Sequence, residues 1–345
     1  MRAWSVTAWD RDLVPLDRPT PQPAGTEVLL EVRAAGVCHS DLHICEGHYD
    51  LGGGHRAYMA DRGIRLPFAP GHEVVGTIVA AGPDAGDVAV GAIRLVYPWI
   101  GCGRCAVCAR GEEPYCAAPR FVGIFRDGGY ATHVLVPHPR YLLDVAGLAA
   151  EAAAPLACSG LTTFAALQKI DPAILFHEPV LLIGAGGLGL MAVSILARLG
   201  GHGAIVADID PAKRAAALSM GALAVVGTDA PLTAPVRAAI DFVGAPSTVQ
   251  WALENLHKGG KLIVVGLIGG AITLPIPPLA TRATTIQGSY VGTLAELEAL
   301  MALVRARPLA PIPTSVRPLD EANAALADLR AGRVTGRAVL MPRHA

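Results

Sequence analysis

An apolar run, Val180-Leu181-Leu182-Ile183, leads directly into Gly184-Ala185-Gly186-Gly187-Leu188-Gly189, and Leu190–Leu199 continues as an apolar helix ending at Gly200-Gly201. A buried strand, a glycine turn and a helix in that order build half of a parallel βαβ unit. Gly184, Gly186, Gly187 and Gly189, with Leu188 between them, let the backbone approach a pyrophosphate, while the helix N-terminus offers free N–H groups and partial positive charge. A tight strand–helix turn without a ligand is the alternative. Asp208 lies 19 residues beyond Gly189, at the end of the next strand, Ala204–Ala207. A carboxylate there accepts hydrogen bonds from adenosine ribose hydroxyls and repels a 2′-phosphate, which favours NAD over NADP. Lys213 is within reach of the same ribose. A simple strand-end turn is the competing reading of Asp208.

The run from Val180 to Leu199 is too interrupted by glycine, and carries Arg198, to read as a membrane span. With 345 residues, two domains are expected. The formal charge of −1 lacks the basic signature of a nucleic-acid binder. Met1–Val6 has no apolar core of a signal peptide, so a soluble cytoplasmic protein without a nucleic-acid or membrane partner is expected.

Seven cysteines, an odd count, argue against a disulfide framework. Cys102, Cys105, Cys108 and Cys116 fall within fifteen residues at spacing C-x2-C-x2-C-x7-C. One loop can wrap four such thiolates around one ion. Tetrahedral zinc, closed to water and structural, is favoured over an iron–sulfur cluster, which also takes four cysteines. Cys38, His72 and Cys158 are further candidate ligands. Three protein ligands leave the open position a catalytic zinc requires, but their distance apart in sequence leaves convergence open.

Along the chain, residues 1–150 read as mostly β, with strands near 27–34, 74–80, 92–97 and 130–136. Strands and helices then alternate, implying a parallel sheet covered on both faces. After Ala204–Ala207, Pro211 opens a helix through Met220, and Ile240–Val243 and Leu262–Val265 are further strands. The short, proline-broken stretch between Val226 and Ile240 leaves one helix in doubt. Helices near 294–305 and 320–330 and a strand near 338–341 follow.

Cys38-His39-Ser40-Asp41-Leu42-His43, Gly71-His72-Glu73, the four-cysteine lobe and Gly184-Ala185-Gly186-Gly187-Leu188-Gly189 occur in the order found in zinc-dependent medium-chain alcohol dehydrogenases, which the chain resembles over essentially its whole length. The resemblance implies an α/β protein: a GroES-like, mostly β catalytic domain (1–152 and 293–345) and a doubly wound, NAD-binding Rossmann domain (153–292). It implies two zinc ions per chain, one catalytic on Cys38, His72 and Cys158, the other structural on Cys102, Cys105, Cys108 and Cys116. Ser40 matches the hydroxyl of the proton relay and His43 the histidine that passes the proton to solvent. Asp41 matches the carboxylate that orients a ligand, and Glu73 the glutamate beside the zinc. His39 matches a position near the cofactor phosphates, Thr162 one that packs on nicotinamide, and Arg337 a pyrophosphate contact. Val265, Leu267, Ser289 and Val291 match backbone contacts around the carboxamide. Asp41 as a turn residue and Thr162 as a helix cap are the plainer alternatives.

The implied reaction is reversible oxidation of an alcohol by NAD. Cys158, where polyol and threonine dehydrogenases often place a carboxylate, points to the alcohol dehydrogenase branch. The separation of Cys38 from His72, 34 residues, exceeds the family's short form. This insertion at 47–66 resembles the bacterial 6-hydroxyhexanoate dehydrogenase-like branch. It reads as a mobile loop, with Cys45 a buried odd thiol, in preference to a third metal site on Cys45, His48 and His55. Trp99 borders the substrate cleft or sits in the core. An ω-hydroxy acid calls for a cation, for which Arg56, Arg62, Arg65 and Arg126 are the candidates. Relatives imply a homo-oligomer, dimer or tetramer. The competing hypotheses are a non-catalytic, zinc-stabilised NAD(H)-binding redox protein and a zinc-free quinone or enoyl reductase.

Overall fold

The computed structural model describes residues 1–145 and 147–343. Two sheets organise it. The first has six parallel strands in the order Ala224–Val226, Ala204–Ala207, Val180–Ile183, Val236–Asp241, Leu256–Val264, Thr285–Gly288. The chain winds outward one way from Val180–Ile183 and then the other, so a crevice opens where the order reverses, beside the glycine turn. Ile183 pairs with Ala207 on one side and Asp241 on the other. All four residues of Val180–Ile183 are buried, as a strand covered on both faces requires.

The second sheet has seven strands. Val28–Val37 is its hub, pairing antiparallel with Glu73–Ala81, His133–Val136 and Arg337–Met341. The last of these pairs in parallel with Thr314–Pro318. The C-terminal segment thus returns to the N-terminal sheet after the parallel sheet is complete. Tyr97 and Trp99 are buried beside this sheet, and Phe164 and Leu167 under the helix Ser159–Leu167.

No helix connects Ala224–Val226 to Val236–Asp241. The connecting stretch contains Pro231 and Pro235 and is tied instead to the helix Pro246–Glu254 and its cap: Leu232 N–H donates to Asn255 Oδ1 at 2.6 Å, and Trp251 Nε1 to the Ala230 carbonyl at 3.1 Å. The insertion at 47–66, expected as a mobile loop, is a hairpin of His48–Gly52 and His55–Tyr58 followed by one 3-10 turn, Ala60–Arg62. Among the described residues no single helix is long and apolar enough to cross a membrane; the bent pair Ala150–Ala157 and Ser159–Leu167 approaches the length, but Ala153–Leu167 is buried throughout.

Candidate active site and metal centres

Cys38 ends the strand Val28–Val37 and caps the helix His39–Glu46; its N–H donates to Asp41 Oδ2 at 2.9 Å. His72 precedes the strand Glu73–Ala81, which pairs with Val28–Val37, and Cys158 caps the helix Ser159–Leu167. Ligand atoms of Cys38, His72, Glu73 and Cys158 all lie within 4.8 Å of one another, and all four residues are buried. The Cys38 and Cys158 sulfurs are 4.0 Å apart. Hydrogen bonding between them holds the Cys38 thiol low and pushes the Cys158 thiol up. His72 Nδ1 lies 3.1 Å from Asp41 Oδ1 as a close ion-pair approach, and both ring nitrogens are buried with no hydrogen-bond partner. Two crowded sulfurs and an orphaned imidazole nitrogen form a soft N/S donor set that fits zinc. The Tyr130 hydroxyl donates to Asp41 Oδ2 at 3.0 Å, fixing the carboxylate that orients His72.

Glu73 faces Arg337. Arg337 Nε donates to Glu73 Oε2 at 3.0 Å and a second bond joins Nη2 to Oε1; the Ser159 N–H adds a third contact to the carboxylate at 3.2 Å. Burial disfavours the Arg337 cation, but Glu73 and the Cys38 sulfur more than offset it and raise its pKa. The same guanidinium abuts the glycine turn, where a Cβ on Gly187 would lie 3.0 Å from Nη1. One arginine therefore links the carboxylate beside the metal site to the start of the helix Gly187–Leu199.

The glycine turn has the shape of a cradle. Gly184 has φ +95°, and a Cβ on Gly189 would lie 1.9 Å from the Gly184 carbonyl oxygen. A Cβ on Gly186 would meet nothing within 4 Å, so open space remains there for a phosphate. Asp208 Oδ2 accepts the Ala185 N–H at 2.7 Å and Oδ1 the Asp210 N–H at 2.8 Å, and each oxygen keeps a lone pair for a ribose hydroxyl. Desolvation by the surrounding chain holds the His39 imidazole below its usual pKa against the pull of the Cys38 sulfur, and the Arg337, His43 and Lys213 charges lower it further. His39, Lys213 and Arg337 thus share a cationic neighbourhood. Thr162 and Ser289 are buried and their hydroxyls have no partner. Thr162 sits one turn beyond Cys158, its N–H on the Cys158 carbonyl at 2.7 Å. Ser289 follows the last parallel strand, with Val291 buried beside it; Val265 is buried and Leu267 exposed beyond the preceding strand. Unsatisfied buried hydroxyls at these two points fit a polar ligand such as a carboxamide.

Ser40 Oγ lies 3.7 Å from the Cys38 sulfur. His43 is three residues on, half-buried, with Glu46 3.7 Å from its Nδ1. Burial holds the His43 pKa below 6.5, against the opposing pull of Glu46 and Cys38. Trp99 is 2% exposed, so it sits in the core and not at an open cleft. Its N–H is satisfied by the Ala157 carbonyl at 3.2 Å, and its ring lies 5.2 Å from His72 and 6.2 Å from Tyr290.

The second cysteine group is equally compact. The sulfurs of Cys102, Cys105, Cys108 and Cys116 lie within 4.8 Å of one another. Backbone N–H groups of Cys102 and Ala118 donate to Cys116, and that of Cys108 to Cys105. The Cys102 thiol is lowered to about 6, chiefly by the Arg104 N–H, whereas burial pushes Cys108 up to about 12. A Cβ on Gly101 would lie 2.4 Å from the Cys108 sulfur, so the wrap requires glycine there. Glu113 anchors the lobe, accepting from Gly101 N–H at 2.7 Å, Tyr141 Oη at 2.9 Å and Arg140 Nη2 at 2.6 Å.

Cys45, His48 and His55 do not converge. Among the described residues only the two groups above bring three or more candidate ligands together. His48 packs its ring on Tyr58, His55 is exposed, and burial raises the Cys45 thiol. Sequence reasoning missed Tyr130, Glu113, Tyr49 and Tyr290. Tyr130 is 89 residues from Asp41, and no spacing signals that pairing.

A mostly β domain and a doubly wound sheet, with a buried N/S donor set joined through Arg337 to a glycine cradle, define a metal-dependent dinucleotide dehydrogenase. Comparison with known proteins gives the family. Residues 24–146 match the alcohol dehydrogenase GroES-like domain, and residues 187–306 the zinc-binding dehydrogenase family. An NAD-dependent alcohol dehydrogenase of Sulfurisphaera tokodaii is 36% identical over 99% of this chain and 100% of its own. The alcohol dehydrogenase of Aeropyrum pernix superposes with a TM-score of 0.90 at 29% identity, covering 99% of this chain and 100% of that one. Acetophenone reductase of Geotrichum candidum, solved with NAD, gives 0.86 at 30% identity, covering 99% and 96%. The chain belongs to the zinc-binding alcohol dehydrogenase family.

Proposed function

We propose that this protein interconverts an alcohol and its aldehyde or ketone, with NAD as hydride acceptor and two zinc ions per chain. The convergence of Cys38, His72 and Cys158 on one buried point, with His72 Nε2 left unpartnered, carries the reading. Zinc held there supplies Lewis acidity to the alcohol hydroxyl, and NAD in the glycine cradle supplies the hydride acceptor. Ser40, beside the Cys38 sulfur, is placed to take up the hydroxyl proton, and His43, neutral at pH 7 because burial lowers its pKa, receives it and releases it at the half-exposed edge of the site. Asp41 and Tyr130 hold His72 in one orientation. Glu73 neutralises Arg337 so that a cation can sit buried between the metal site and the cofactor phosphates. With NAD bound, Thr162, Ser289, Val265, Leu267 and Val291 would border the nicotinamide, Asp208 and Lys213 the adenosine ribose, and His39 the pyrophosphate.

The catalytic domain is taken as 1–152 with 293–345 and the cofactor domain as 153–292. A cytoplasmic homo-oligomer, dimer or tetramer, is the expected form, and light scattering of the purified protein reads its mass. The decisive experiment combines metal analysis with initial rates of NAD reduction on a panel of 1-hexanol, cyclohexanol, benzyl alcohol, 6-hydroxyhexanoate and a polyol. Two zinc ions per chain and turnover of at least one alcohol are expected. Cys158→Ala is expected to lose one zinc and essentially all turnover. A Cys158→Ala protein that kept its rate would overturn the reading.

A further inference from the structure

Resting on the reading above, we infer that Tyr97 is a positioning residue for the nicotinamide ring: its phenol holds the left-handed backbone at Val291, in the segment that borders the ring.

Val291 has φ +41°. Among the described residues only two other non-glycine residues, Asp10 and Ala283, have positive φ, and both are exposed. Val291 is buried and β-branched. Left-handed backbone is an outlier for such a side chain and persists only where the surroundings over-determine it. Three ties do so here. Before it, Ser289 N–H donates to the Val264 carbonyl at 2.9 Å. After it, the Gly292 carbonyl accepts the Tyr97 hydroxyl at 2.9 Å. Next, Thr293 caps the helix Leu294–Ala306: its N–H donates to Glu296 Oε2 at 2.7 Å and its Oγ1 accepts Glu296 N–H at 3.2 Å. The cap forms locally, whereas the Tyr97 bond joins residues 195 apart.

Gly292 packs on the helix Ser159–Leu167: a Cβ there would lie 2.5 Å from Leu161 Cδ1 and 3.3 Å from Ala165 Cβ. That helix carries Thr162. The two buried hydroxyls without a partner, Thr162 and Ser289, therefore belong to one packed unit with Val291. Tyr97 is itself held at its base. It follows the strand Ile93–Val96 and is fully buried. Its N–H donates to the Tyr141 carbonyl at 2.8 Å, and its ring stacks on that of Tyr141 with centroids 6.1 Å apart and planes 18° from parallel. The Tyr141 hydroxyl in turn donates to Glu113 at 2.9 Å. The Tyr97 ring cannot swing away without breaking this stack. Burial pushes its pKa up, so the phenol remains a donor. A fixed donor on a carbonyl one residue beyond a strained valine sets where that valine's backbone stands, and through it the border of the nicotinamide.

The test compares wild type and Tyr97→Phe, each checked for zinc content and thermal unfolding, by calorimetric titration with NADH and with ADP-ribose. ADP-ribose keeps all of NADH but the nicotinamide ring. Tyr97→Phe keeps the stacked ring and removes only the donor. It is expected to weaken NADH about 3- to 10-fold, as loss of one buried hydrogen bond does, and ADP-ribose less than about twofold. Equal weakening of both, which a general loosening of the fold would give, overturns the assignment, as does no change in either. The same substitution in a Val291→Gly background tests the route. Glycine takes positive φ freely, so the tether has less to hold, and the effect of Tyr97→Phe on NADH is expected to fall below about twofold. An undiminished effect overturns the role through Val291. In initial rates, Tyr97→Phe is expected to raise KM for NAD by the factor seen in the NADH titration. If no alcohol is oxidised, the proposed reaction fails, yet the titrations still decide Tyr97.

Discussion

Cys38 answers to two structures at once. Its backbone N–H joins Asp41 to set the first turn of a helix, and its side chain leaves that turn toward Cys158 and His72. The short stretch from Cys38 to His43 thereby offers a metal ligand, a hydroxyl, a carboxylate and an imidazole to one site, because helical geometry puts Ser40 and His43 on adjacent faces. The pH behaviour follows from His43. It faces Glu46, Cys38, His48 and the Tyr49 ring, and burial outweighs the two negative groups. A base with a pKa under 6.5 is neutral, and competent to accept a proton, throughout the neutral range. The acid limb of kcat is therefore expected below pH 6.5. His43→Gln is expected to reduce kcat about 10-fold or more near pH 6 and progressively less toward pH 9, where hydroxide substitutes for the relay. An unchanged pH–rate profile counts against the relay.

Among the elements, the four-cysteine lobe is the most self-contained. It has one helical turn and one 3-10 turn along its four cysteines, so its shape rests on Glu113 and on the ion that the four sulfurs would hold. Cys105→Ser is expected to remove one zinc per chain in metal analysis and to lower Tm by several degrees, with the catalytic zinc retained. Glu113→Ala orphans the Gly101 N–H and the Tyr141 hydroxyl and is expected to destabilise by about 1–3 kcal/mol in urea titration. The hairpin insertion behaves differently, because it is closed by contact with the cofactor half. Gly270 N–H donates to the Asp50 carbonyl at 3.2 Å, and Gly52, at φ +80°, leaves only 2.7 Å between a Cβ and the Ala271 nitrogen. Gly52→Ala is expected to cost about 1–3 kcal/mol of stability, read by thermal unfolding, and to raise KM for the substrate. Local pattern identified the lobe and the glycine turn correctly, since their function depends on neighbours within fifteen residues. It shortened the strand Leu256–Val264, whose His257-Lys258-Gly259-Gly260 start is polar, and began the helix Gly187–Leu199 three residues late because glycine hides its first turn.

At the scale of the whole molecule, the buried pair Glu73–Arg337 joins residues 264 apart and ties the returning C-terminal strand to the metal site and the glycine cradle together. Removing one partner leaves the other charge uncompensated in the interior. Glu73→Gln is expected to destabilise by about 3–5 kcal/mol, seen as a lowered urea midpoint, and to weaken NAD binding because Arg337 loses its anchor. The four-cysteine group, the glycine cradle and their order along the chain were legible in the sequence by itself, through spacings that act within one turn or one loop. The convergence of Cys38, His72 and Cys158 was decided by the register of Glu73–Ala81 on Val28–Val37 and by the placement of the helix Ser159–Leu167. Short-range geometry is written in residue spacing, whereas contacts between distant segments depend on how sheets pair and domains pack, which no local pattern records.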